Sequence, residues 1–200
     1  MSEIAFRCSG ILLVAGAVLL GLAIVLVSLQ PVINQVFSPG IARLFLLSSI
    51  FLLLSLPAMY AKQADVAGWL GLTGYVLFQT GILLLAVVSA PALLYPSLKQ
   101  APGESLTAFL LGIALTLGLL LTGIATLRAG VFPRWPGILL LAAMAGFFFD
   151  FFVAEFLPPL AGQVGSAFFG AILALSLAWI GVALWTGTMG PSLTNVVHAP

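Results

Sequence analysis

Six runs of about twenty apolar residues, each nearly free of charge, fill most of the chain and restrict what it can fold into. A helix rises 1.5 Å per residue, so about 20 residues span the roughly 30 Å hydrocarbon core of a bilayer. The predicted spans are 10–29, 41–60, 66–89, 106–126, 136–157 and 160–185. Proline, glycine and charge separate them: Pro31 and Pro39-Gly40, Lys62 to Asp65, Pro96 to Glu104, Arg128 to Trp135, and Pro158-Pro159. Connections this short make consecutive helices antiparallel neighbours. The expected fold is all-α: one domain over 1–200, a polytopic membrane protein with six transmembrane helices in one bundle. Composition agrees, because only 6% of the 200 residues are charged, against about 25% in water-soluble domains.

The first run starts after Glu3 and Arg7 and ends in Ser28-Leu29-Gln30-Pro31, with no small-residue cleavage pattern, and is read as a retained span. Basic residues set the orientation, since cytoplasmic loops retain Lys and Arg. Arg7, Lys62, Arg128 and Arg134 fall on the side of the N-terminus and only Arg43 and Lys99 on the other, which places both termini in the cytoplasm. A shift of 66 positions lays Lys62 on Arg128, Trp69 on Trp135 and Gly71 on Gly137. The plain reading of this parallel hairpin repeat is a recurring basic turn followed by an interfacial tryptophan.

Most membrane chemistry needs side chains that are missing. The one histidine is His198, near the C-terminus, so paired haem ligands and a histidine base are excluded. No lysine lies within a predicted span to carry a Schiff base, and glycine-rich phosphate loops and zinc-binding helices are absent. The single cysteine, Cys8, offers no disulfide and no thiolate site, and is read as a small buried residue. A net charge of +1 without a basic cluster excludes nucleic acid. No catalytic, cofactor-binding or metal-ligating residue is assigned. The expected partners are membrane lipids, and a membrane protein partner or a second copy of the chain.

The runs Leu56-Pro57-Ala58-Met59-Tyr60-Ala61-Lys62-Gln63, Ala67-Gly68-Trp69-Leu70-Gly71 and Leu127 through Trp135 resemble the cytoplasmic turns of a loosely defined group of small uncharacterised bacterial membrane proteins with about six spans. The likeness covers the middle two thirds of the chain and leaves out the Phe-rich fifth span. It implies a bacterial plasma (inner) membrane protein and brings no catalytic residue with it.

Three polar or packing features stand out. Asp150 lies in the run Gly146 to Pro159, about 5 Å beyond the midpoint of the fifth span. A charged aspartate at such depth costs roughly 2.5–3.5 kcal/mol, so it is expected either protonated or facing donors in the bundle. Gln79 is the first such donor, with Thr80, Ser48, Ser49, Ser55, Thr116, Thr122 and Ser176 as others. A structural hydrogen bond, proton or substrate handling, and contact with a partner subunit all remain open for Asp150. Glu155, about 140° further around the helix, shares no face with it and is matched instead with Arg43 as a boundary ion pair. Gly162, Ser166, Gly170, Ala174 and Ala178 recur every fourth residue in the last span, a row that lets helices approach closely within the chain or between subunits.

Overall fold

The computed structural model describes residues 3–28, 39–94, 104–152 and 159–188, excepting the side chains of 91–94, 104–105, 150–152 and 159–163. Among the described residues five helices form: α1 Glu3–Ser28, α2 Pro39–Leu94, α3 Glu104–Ala129, α4 Arg134–Phe152 and α5 Pro159–Thr186. Four of them are long and apolar enough to cross a membrane, and α4 contributes a shorter apolar stretch. The fold of the described residues is therefore all-helical, with helices long and apolar enough to span a membrane, but these residues do not divide into six separate spans. The difference lies in α2, where the expected second and third spans form one run.

Inside α2 the polar residues Lys62 to Asp65, expected as the connection, remain helical. The reversal comes at Gly68, whose φ of 57° and ψ of −150° break the helix. That region is essentially restricted to glycine. The two arms, 39–67 and 69–94, then fold back on each other. Tyr60 of the first stacks on Tyr75 of the second at 5.0 Å between ring centroids. The helix persists through the polar stretch because its neighbours satisfy it. Gln63 turns inward to 1% exposure, within 3.4 Å of the Thr126 hydroxyl of α3, and Lys62 lies 4.9 Å above the Phe6 ring.

The helices close into a ring in which each packs against the next and α5 returns to α1. Glycines set the closest approaches. A Cβ on Gly10 would lie 2.6 Å from the Gly181 carbonyl oxygen, and one on Gly118 would lie 2.5 Å from the backbone nitrogen of Phe78. No side chain fits there, which lets α1 meet α5, and α3 meet the second arm of α2, backbone to backbone. Leu13, Leu52, Phe78, Leu119, Leu140 and Leu177, one or more from every helix, join a single buried cluster.

The outside of the ring is apolar. Ile11, Val18 and Leu22 of α1, Leu72, Val76, Leu83 and Val87 of α2, and Val164, Phe168, Leu175 and Val182 of α5 are all exposed. Apolar belts of this extent are foreign to water-soluble monomers and suit a lipid surround. Cys8, expected to be buried, is exposed. It precedes Ser9 and Gly10, which are buried, and the helix turns its side chain away from the face they occupy.

Candidate functional site: the polar interior and the charged end

Proline dictates the most informative contact in the interior. Pro57 lies within the first arm of α2 and carries no N–H, so the carbonyl of Leu53, one turn earlier, loses its helical donor. Gln79 on the second arm supplies a replacement, donating from Nε2 to the Leu53 oxygen at 3.0 Å. Neighbouring side chains are the usual means by which membrane helices tolerate a proline. Gln79, expected as a donor to Asp150, is thus engaged by a backbone carbonyl, while its Oε1 is buried without a partner among the described residues.

Several other expected donors are engaged the same way. Ser48 donates to the Phe45 carbonyl at 2.9 Å and Ser55 to that of Leu52 at 3.2 Å. Thr80 is exposed and bonds the Val76 carbonyl at 2.8 Å. Ser176 reaches across from α5 to the carbonyl of Pro136 in α4 at 2.8 Å, and so ties two neighbouring helices. Among the described residues the hydroxyls of Ser49, Thr116 and Thr122 are buried without a hydrogen-bond partner.

Asp150 belongs to the last turn of α4, but its side chain lies outside the described residues. Glu155 lies wholly outside them, so the Arg43–Glu155 pair has only one described member, and Arg43 is exposed near the start of α2. The small-residue row runs along α5. Gly170 faces Ile24 of α1, and Ala174 faces Gly21 of α1, where an added Cβ would sit 2.8 Å away. Ser166 and Ala178 are half-buried, and Gly162 lies in the first turn of the helix. The glycines of α1 that meet α5, Gly10 and Gly21, are fewer than the α5 row and give a weaker sequence signal.

Charge gathers at one end of the ring. Arg7 and Glu3 pair at 2.7 Å near the start of α1, both well exposed. The same end holds Lys62, Gly68 and the end of α5, since Glu3, Phe6, Arg7, Lys62, Leu184 and Trp185 line a common cleft of about 230 Å³. The Gln63–Thr126 contact brings Arg128, in the last turn of α3, to this end too. Arg134 follows at the start of α4, after Gly130 closes α3 with φ of 61° and an N–H bond to Thr126 at 3.3 Å. Arg43 is at the other end. Trp69, Trp135 and Trp185, all exposed, flank the charged end at the level where tryptophan favours a membrane–water boundary.

The two turns matched by the 66-residue shift both lie at this end, but their glycines differ by 62 positions, Gly68 against Gly130. The matched basic and tryptophan residues therefore surround turns of different construction. Gln63 and the Pro57–Gln79 relation were not among the sequence assignments. The available signal for the second was a mid-helix proline opposite a deep glutamine on the next antiparallel segment. No protein-family model, curated protein or solved structure matches the chain.

Proposed function

We propose that the chain is an integral membrane accessory or scaffold protein of a bacterial plasma membrane, crossing six times with both termini cytoplasmic and performing no chemistry of its own. The observation that carries this reading is the use made of the interior polar groups. Gln79 serves the carbonyl released by Pro57, Ser176 binds α4 to α5, and Ser48 and Ser55 serve their own helix. Each holds backbone in place where a transport route would have groups converging on a ligand. Support for six crossings comes from the reversal at Gly68, which turns α2 into two arms of membrane-crossing length. The gathering of Arg7, Lys62, Arg128 and Arg134 at one end supports a cytoplasmic location for it.

The test is purification of the native protein in mild detergent with quantitative identification of what accompanies it. A membrane protein present at constant stoichiometry is expected, and recovery as a lone chain would sink the accessory role.

A second reading, a small proton-linked transporter using Asp150, draws on one observation: Ser49, Thr116, Thr122 and the Gln79 Oε1 are buried without partners among the described residues. Asp150→Asn in a reconstituted proton-flux assay decides it. Flux that the substitution leaves unchanged removes Asp150 from any transport.

A further inference from the structure

The cleft at the charged end has the construction of a lipid headgroup site. Its floor is apolar: Leu184 is 2% exposed, and Phe6 packs partly into the core cluster. Trp185, half-exposed, forms one wall. Its rim carries two cations and one carboxylate, Arg7, Lys62 and Glu3. Among the described residues Lys62 has no carboxylate partner, and its amino group rests on the Phe6 ring at 4.9 Å. The Arg7–Glu3 pair is a single-turn surface pair, 59% and 78% exposed, of a kind that gives way readily to a better anion.

The geometry points to this cleft as a binding site for the phosphate headgroup of an anionic phospholipid, with Lys62 and Arg7 on the phosphate and the acyl chains leaving past the exposed Trp185. Three observations converge on that occupant. The cleft lies at an end flanked by exposed tryptophans, the depth at which lipid phosphates sit. Its volume of about 230 Å³ is below the roughly 300–1,000 Å³ of pockets that enclose drug-sized ligands, and suits a headgroup whose chains remain outside. Its net charge of +1, from Arg7 and Lys62 against Glu3, attracts an anion and gives less to a zwitterion. Basic pockets between membrane helices on the cytoplasmic side hold anionic headgroups by this chemistry.

The inference rests on the reading of the chain as membrane-embedded and specifies which lipid that reading implies. It is independent of whether the protein has a protein partner: a chain purified alone would end the accessory role and leave lipid retention as it is.

The test uses the full chain, delipidated in mild detergent and titrated with phosphatidylglycerol or phosphatidylcholine, with bound lipid counted by native mass spectrometry. Phosphatidylglycerol is expected to bind at least about five-fold more tightly than phosphatidylcholine. Lys62→Gln is expected to lower that affinity about five-fold, the effect of one cation near an anionic lipid surface. Lys62→Arg retains it, which separates a lost charge from a lost fold. Arg128→Gln, at the same end but outside the cleft, leaves it within two-fold. Equal losses from Lys62→Gln and Arg128→Gln would show diffuse attraction and overturn the site. Equal binding of the two lipids would do the same, as would displacement of the lipid by millimolar inorganic phosphate, which would make the ligand a free anion.

Discussion

The link between Pro57 and Gln79 can be put to a quantitative test. Replacing Gln79 by Leu keeps the volume near constant and removes the donor from the Leu53 carbonyl. An acceptor left unsatisfied in a buried setting costs about 1–3 kcal/mol, while measured side-chain hydrogen bonds between membrane helices average about 0.6 and reach about 1.7 kcal/mol. Gln79 is half-buried, and its Oε1 has no partner, so its removal returns part of the amide's own burial cost. The expected net loss is about 1 kcal/mol. Pro57→Ala changes the sign of the argument: residue 57 regains its N–H, the helix serves its own carbonyl, and Gln79 becomes redundant. In that background Gln79→Leu should be neutral or mildly stabilising. The two effects should therefore couple by about 1 kcal/mol, read by reversible unfolding in mixed detergent micelles, with the four tryptophans as reporters. Additivity of the two substitutions within about 0.3–0.5 kcal/mol would refute the idea that Gln79 serves the carbonyl freed by Pro57.

Other expectations use the same unfolding assay or simple labelling. Gly118→Ala places a methyl group 2.5 Å from the Phe78 backbone and should cost about 1–3 kcal/mol by overpacking. Gly165→Ala, in a helix with nothing within 4 Å, should stabilise by about 0.5–1 kcal/mol; equal effects at the two sites would contradict the packing described for α3. Gly68→Ala meets no atom within 4 Å and should still cost about 1–3 kcal/mol, because the strain is in the backbone; a silent substitution would argue against the reversal at Gly68. Cys8, the single cysteine and exposed, should react with a membrane-impermeant maleimide in inverted vesicles and not in intact spheroplasts, and the opposite pattern would reverse the proposed orientation.

Much of this architecture is legible in the sequence because lipid imposes a single strong rule, and helices near the expected positions follow from it. Tertiary contacts decided the rest. Lys62 to Asp65 reads as a break by polarity alone, yet Gln63 finds Thr126 and Lys62 finds Phe6, so the helix continues to the first residue that can adopt a positive φ. The α5 row was visible because its spacing is strict, whereas the identity of its neighbour, α1, was not, since adjacency in sequence says nothing about how a ring closes. The serines and Gln79 were recognisable as deep polar groups. Their acceptors were not, because a backbone carbonyl freed by a proline leaves no mark on the residue that binds it. Asp150 was expected close to the midpoint of a span reaching residue 157, whereas the described part of α4 ends at Phe152 and holds Asp150 in its last turn.

Ring closure through α1 and α5 also bears on how the protein assembles. Helices enter the bilayer in the order of synthesis, so α1 arrives first and its final neighbour last. Between those events Gly16 of α1 can be covered by Phe51 and Leu52 on the first arm of α2, while the side with Gly10, Gly21 and Ile24, which receives Gly181, Ala174 and Gly170, stays in contact with lipid. A ribosome stalled before α5 would leave an open arc with a glycine-lined edge, the part of the molecule with most to gain from a quality-control factor or from a premature match with another chain.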